Sequence, residues 1–265
     1  MGVEERIESL DVSLFDAVPS QSYPEDRKSL LLLQRCLRRR GNYTYLEIGS
    51  HLGGTLQSHL VDSRCQRIYS IDKRPIEQAD EYSGACYYPG NSTRRMLDGL
   101  QAAYPDSSMQ KIDTFDVDAQ EIDPGAFSLK PDFCFIDGEH TDKAVVSDFN
   151  FCLRVCHPGG VIAFHDANVI ADGLVRIKRR LNESKIRFRG FLLPRHVYVI
   201  LLNHAIDQAE IEDASIDEAR YMREVRWGLL KARVSRRYPA LQKIWRASKR
   251  LVGASHRAHN EGEPH

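Results

Sequence analysis

The chain has 265 residues, with 37 Lys and Arg balancing 37 Asp and Glu, and 42% of its residues are apolar. That make-up excludes wholesale disorder, and no apolar run approaches the roughly 18 residues of a membrane span. The opening Met1-Gly-Val-Glu-Glu-Arg6 has neither the basic nor the apolar part of a secretory leader. Six cysteines without a Cys-x-x-Cys pair fit buried thiols in a reducing cytoplasm.

Residues 1–24 show weak helical patterning up to a Pro/Ser break, and a helix is expected from Glu25 to Arg40. Its leading acids and trailing arginines suit the helix dipole, and residues 1–40 are read as an N-terminal helical cap. Tyr43–Ile48 is the first expected strand, followed by a glycine turn and a helix through about Val61. Arg67–Ile71 is the second strand. Residues 73–92, rich in Pro, Gly, Tyr and Ser, read as an irregular loop ahead of a helix over Thr93–Ala103. Lys111–Phe115 and Asp132–Ile136 follow as strands. A helix over Asp142–Cys156 leads through His157-Pro-Gly-Gly160 into a strand at Val161–Phe164, and another helix spans Gly173–Asn182. Ile186–Leu193 and Val197–Leu202 close as a hairpin around Pro194-Arg195. Repeated β-α units predict an α/β fold over residues 41–203: a Rossmann-like, mostly parallel sheet with helices on both faces and one antiparallel strand near an edge.

The C-terminal extension, residues 204–252, is polarised. Asp207 to Glu218 carries six acids and no base, whereas Arg220 to Arg250 carries eleven bases and one acid, Glu224. Leu230, Val234, Tyr238, Leu241 and Trp245 form a helical stripe expected to pack on the domain or on a second copy, making a homo-oligomer. The competing reading is peripheral contact of this basic helix with an anionic membrane. Residues 253–265 read as a flexible tail.

Two groups of residues carry chemistry. Tyr45-Leu-Glu-Ile-Gly-Ser-His-Leu-Gly-Gly-Thr55 places glycines after the first strand, where a parallel sheet binds ligands and a glycine lets backbone approach them. Asp72 ends the second strand, where a carboxylate accepts ribose hydroxyls, and Asp118 follows the third, within reach of an adenine amine. The spacing Gly49-xxx-Gly53-Gly54 is neither a dinucleotide fingerprint nor a Walker loop. Glu47 suits a ligand bearing an amine, as S-adenosylmethionine does. The second group is Asp137 and His140 after the fourth strand with His165 and Asp166 after the fifth. Carboxylates and an imidazole at adjacent strand ends suit a divalent ion, and His140 suits a general base.

The segments YLEIGSHLGGT, IYSID, FDVDA, FIDGEH and HPGGVIAFHD together resemble the class I S-adenosylmethionine-dependent methyltransferases. The resemblance is closest to the branch with metal-dependent O-methyltransferases of sugars and antibiotics and the cephalosporin-hydroxylase-like proteins, and spans about Tyr43 to Leu202. It implies a seven-stranded sheet whose last strand is antiparallel. It implies that Glu47, Gly49, Ser50 and Gly53 hold the methionine part of the cofactor, Asp72 its ribose, and Asp118 with Ala119 its adenine. It further implies Asp137 as a residue of both cofactor and metal sites, His140 as base, and Mg2+ or Mn2+ held by Asp137, His165 and Asp166. The sugar enzymes carry an acidic pair where this chain has His165-Asp166. The catechol enzymes carry Asp-Asn where it has Asp166-Ala167.

The expected activity is therefore O-methylation of a sugar or glycosylated small molecule. The alternatives are a phenol or catechol O-methyltransferase, a nicotinamide oxidoreductase disfavoured by the glycine spacing, and a catalytically silent cofactor-binding protein. Nucleic acid is not an expected partner, because the core has no basic, aromatic-interleaved face.

Overall fold

The computed structural model describes residues 1–203 and 206–237. Tyr238, Leu241 and Trp245 of the expected stripe, the rest of the extension past 237 and the tail 253–265 lie outside the described residues. The first elements are α1 (Val3–Glu8), a 3-10 turn at Val12–Phe15 and α2 (Pro24–Arg38). Then come β1 (Tyr43–Ile48), α3 (Gln57–Val61), β2 (Cys65–Ile71), β3 (Glu77–Asp80), β4 (Gly84–Tyr87), α4 (Thr93–Ala103) and β5 (Ile112–Phe115). β6 (Phe133–Ile136), α5 (Asp142–Val155), β7 (Val161–Phe164), α6 (Ala171–Glu183), β8 (Phe188–Leu192), β9 (Tyr198–Leu202), α7 (Ala209–Ala214) and α8 (Glu218–Arg237) complete the described chain.

Every residue of β1, β6, β7 and β9 is buried, as expected of strands covered on both faces. They lie in a seven-stranded sheet of order β5-β2-β1-β6-β7-β9-β8. β9 is the reversed strand: it runs antiparallel to both β7 and β8, while the other pairs are parallel. Alternation along each strand splits the core in two. Tyr45, Phe133, Phe135 and Ala163 face the layer built from α2, α3 and α4. Leu46, Cys134, Ile136 and Phe164 face α5 and α6. Ile7, Leu14, Phe15 and Val18 from the N-terminal segment join the first cluster beside Leu30 to Leu33.

Register aligns the strand ends. Ile48 pairs with both Ile71 and Ile136, and Ile136 with Phe164. The next residues, Gly49, Asp72, Asp137 and His165, therefore leave the sheet at one level. The stretch expected to be an irregular loop is instead interrupted by the antiparallel hairpin β3–β4. Both of its faces are largely exposed, so it carries no apolar alternation to announce it. In α8, Leu229 is the buried leucine, whereas Leu230 and Trp227 stand 52% and 63% exposed. Among the described residues, no helix is long and apolar enough to cross a membrane.

Candidate active site

The turn after β1 depends on a missing side chain. Gly49 has φ +91°, and a Cβ there would fall 2.1 Å from the Asp137 carbonyl oxygen. Its amide donates to the Ile71 carbonyl at 2.8 Å, so the ends of β1, β2 and β6 meet at this residue. Gly53 has φ +79° and packs toward Leu100 and Met96; it turns the chain but lies outside the cleft lining.

Two adjoining clefts, of about 230 Å³ and about 260 Å³, open above these strand ends and share Gly49, Asp72 and Gln78. The first is lined by Asp118, Ala119, Gly138 and Asp148; the second by Glu47, Ser50, Asp137, His140, His165 and Asp166. Glu47, 1% exposed, accepts hydrogen bonds from the Tyr45 hydroxyl at 2.7 Å and from the Thr55 hydroxyl. Burial pushes its carboxyl up to about 7 even though both hydrogen bonds favour the charged form. Asp72 accepts from the backbone amides of His51 and Arg74, at 2.9 and 2.7 Å, which fixes the carboxylate at the cleft edge. The Ser50 hydroxyl pairs with that of Ser70. Asp118 caps the turn Ala119–Glu121 by accepting from the Gln120 amide, and pairs with Lys73 at 3.2 Å.

The four chemical residues expected after β6 and β7 converge. His165 Nδ1 lies 3.0 Å from Asp137 Oδ1 and 3.3 Å from Asp166 Oδ2. His140 Nε2 lies 3.2 Å from Asp166 Oδ2 and 3.8 Å from Asp137 Oδ1. Asp166 adopts φ +50°, a left-handed conformation in which Asp is among the less penalised residues.

Each imidazole has a second carboxylate behind it, and both lie outside the expected site. His165 Nε2 faces Asp26 Oδ2 at 3.4 Å; Asp26, in the first turn of α2, is 0% exposed and also accepts from the His196 amide at 3.0 Å. His140 Nδ1 faces Asp80 Oδ2 at 3.2 Å, and the Glu81 amide donates to the His140 carbonyl at 3.0 Å. Asp26 reads in sequence as an ordinary N-terminal helix acid, and Asp80 sits in the hairpin that has no period of its own. The one available signal for Asp80 is the turn chemistry of Asp80-Glu-Tyr-Ser-Gly84, where its Oδ1 accepts from the Tyr82 amide at 2.9 Å.

Electrostatics follow from this packing of opposite charges. Burial disfavours charge on Asp137, but His165 and His140 overcome it and hold the carboxyl well below the usual range. Asp166 is lowered in the same way, against the same burial. Burial opposes a charged His140, yet hydrogen bonds to Asp137 and Asp80 push it up to about 10. Of the tyrosines in residues 73–92, Tyr88 lines the cleft with its ring 5.3 Å from that of His51, while Tyr82 and Tyr87 are exposed outside it.

Residues 46–167 match the family described as "Methyltransferase domain". A curated relative, "Uncharacterized protein R132" of Acanthamoeba polyphaga mimivirus, is 28% identical over 129 residues. That match takes in 48% of this chain and 52% of the relative, so the chain spans about half the relative's length. Similar solved structures include the TDP-rhamnose 3'-O-methyltransferase CalS11 of calicheamicin biosynthesis, at 16% identity and TM-score 0.49, covering 76% of this chain and 93% of that one. Another is the O-methyltransferase of Bacillus cereus in complex with SAH, at 13% identity and TM-score 0.47, covering 76% and 90% of the two chains. The matched segment runs from inside β1 to just past β7 and holds the glycine turn, Asp72, Asp118 and the Asp137–Asp166 cluster; over this stretch, a little under half of the chain, the protein is similar to that methyltransferase family.

Proposed function

We propose that the chain is an S-adenosylmethionine-dependent O-methyltransferase acting on a hydroxyl of a sugar or glycosylated small molecule, with His140 as general base and Mg2+ or Mn2+ at Asp137, His165 and Asp166. The observation that carries the reading is the pair of carboxylate-backed imidazoles at the end of a cleft that begins at Asp118 and Asp72.

The residues fit both groups. A side chain at position 49 would collide with the Asp137–Gly138 backbone, so bare backbone lines both clefts at this point, which suits an extended nucleoside with its amino-acid end toward Glu47. For the ion, separations of 3.0 and 3.3 Å among His165, Asp137 and Asp166 match neighbouring ligands about 3 Å apart around a small octahedral cation. Asp26 behind His165 is the carboxylate that commonly orients a ligating imidazole. When bound, the cofactor supplies an electrophilic methyl group and the ion supplies positive charge that lowers the pKa of a nearby hydroxyl and of His140.

The chain's own residues supply the rest. Asp80 accepts the Nδ1 proton of His140, which leaves the Nε2 lone pair facing Asp166 and the acceptor end of the cleft. His140 Nε2 would take the acceptor's hydroxyl proton at this end of the cleft. Ser20, Gln21, Tyr23 and Tyr88 line the second cleft. Hydroxyls and amides mixed with aromatic rings suit a sugar, which offers hydroxyls at its rim and C–H groups on its faces. Holding acceptor and methyl group in line contributes further through positioning.

Calorimetry is expected to give binding of S-adenosylhomocysteine and none of NADH; the reverse would overturn the cofactor assignment. Turnover on hydroxyl compounds is expected to vanish in EDTA and return with Mg2+ or Mn2+, and Asp137→Ala to remove that rescue. Turnover indifferent to EDTA would remove the ion from the mechanism. Methylation confined to phenols would move the acceptor to the catechol class.

A further inference from the structure

All six cysteines are free, and Cys86 is the one that is not buried. It lies on β4, paired in register with Gln78, one strand across from Asp80. Its sulfur, a carboxylate oxygen of Asp80 and a ring nitrogen of His140 all lie within 4.8 Å of one another. We propose that Asp80, Cys86 and His140 form a second metal site, for a thiophilic divalent ion such as Zn2+, and that filling it switches His140 off as a base. The switch rests on the methyl-transfer reading; the binding site does not.

The donor types make the selection. A thiolate is a poor ligand for Mg2+ and a good one for Zn2+, and one sulfur, one imidazole nitrogen and one carboxylate oxygen leave a fourth tetrahedral position for water. Around zinc, these donors sit about 3.5 Å apart, so closure from the observed spacing moves the hairpin by about 1 Å. β3–β4 is a two-stranded ribbon outside the main sheet, and its backbone meets the site at the Asp80–His140 bridge. Asp80 is already set for the role. Its Oδ1 is fixed by the Tyr82 and Ser83 amides and the Ser83 hydroxyl, and its Oδ2 faces His140. Such outer hydrogen bonds hold a ligand in place before the ion arrives.

The consequence for His140 is a matter of tautomers. With Asp80 accepting the Nδ1 proton, the Nε2 lone pair is free to take a proton from the acceptor. Zn2+ on Nδ1 drives that proton across to Nε2, so the neutral ring then carries its one hydrogen there, with no lone pair toward the cleft. Binding also displaces the Cys86 thiol proton, so one proton leaves to solvent for each ion bound to the neutral ring. The two faces of one imidazole thus answer to different ions. A hard ion beside Nε2 assists the reaction, and a soft ion at Nδ1 stops it.

The test begins with Co2+ as the probe, titrated into chelator-treated full-length protein. One equivalent is expected to raise a thiolate-to-cobalt charge-transfer band in the wild type, to be bleached by Zn2+ and to be absent in Cys86→Ser. No band in the wild type, or the same band in Cys86→Ser, overturns the site. Nitrogen-15 NMR of the His140 ring is expected to move to the Nε2–H form when Zn2+ binds; an unchanged tautomer overturns the switch. With Mg2+ present, Cys86→Ser is expected to turn over at the wild-type rate and to need at least about tenfold more Zn2+ for half-inhibition. Equal inhibition of the two proteins also overturns the switch. Should no hydroxyl compound be methylated at all, the methyl-transfer reading fails while the cobalt and NMR results still judge the site.

Discussion

At the scale of single residues, the site is a row of alternating charges: Asp80, His140, Asp166 with Asp137, His165, Asp26. Each imidazole lies between carboxylates, so removing one carboxylate changes both the orientation and the protonation of its neighbour. Asp80→Asn keeps the shape but replaces an acceptor that fixes Nδ1–H with an amide that can turn its NH2 toward the ring. The ring is then free to carry its proton on Nε2, the nitrogen that must be bare. Turnover is expected to fall by roughly ten- to a hundredfold, as when a carboxylate behind a functional histidine is altered, with S-adenosylhomocysteine affinity unchanged. His140→Ala is expected to cost about a hundredfold or more, within the usual worth of a general base. Titration calorimetry alongside initial rates separates the two effects. If Asp80→Asn weakened cofactor binding as much as turnover, Asp80 would be supporting the cleft rather than the imidazole.

Among the elements, what was legible in sequence and what was not divides by whether an apolar period exists. β1 and α4 coincide with their expected bounds because buried strands and amphipathic helices write their pattern into the chain. The positions of Gly49, Asp72, Asp137 and His165 were legible because each directly follows such a strand, and that of Glu47 because it lies on β1; the common register then brings these strand ends together. The hairpin β3–β4 had no buried face to leave a mark, so Asp80 and Cys86 were hidden with it. α5 shows a different omission. Its Asp148 occupies a position facing the first cleft, where burial, followed by the nearby Asp118 carboxylate, pushes the carboxyl up to about 7 against the pull of Lys73. An unfolded aspartate titrates near 4. The folded form therefore holds its proton more tightly, and the resulting stability is complete below about pH 4 and lost as pH rises through about 7. Asp148→Asn removes this dependence. Thermal melts at about pH 5 and about pH 8 are expected to show the wild type losing a few kcal/mol relative to the variant over that interval. Parallel pH profiles for the two proteins would show that Asp148 is ionised in the fold.

For the whole molecule, the issue is whether the first 40 residues are an appendage to the sheet domain or part of it. They lie outside the matched segment 46–167, yet their apolar side chains share one core with the sheet. Phe15 is 1% exposed, and the Gln57 side chain of α3 donates to the carbonyls of Phe15 and Val18, at 3.1 and 2.7 Å. Asp26 carries the connection to the site by holding His165. A segment buried this way cannot open without exposing the face of the sheet that α2 covers, so it should unfold with everything else. Phe15→Ala leaves a cavity in that shared core and is expected to cost about 3–5 kcal/mol. That is a large share of the roughly 5–15 kcal/mol by which a domain is stable. Denaturant unfolding, followed by near-ultraviolet circular dichroism of the buried tyrosines and by far-ultraviolet circular dichroism, is expected to show one transition in both proteins, displaced to lower denaturant in the variant with its slope unchanged. An appendage would behave differently: the main transition would stay in place and a separate, earlier one would move. In that case the Asp26–His165 contact would be optional, and the proposed methyl transfer would survive the loss of the segment.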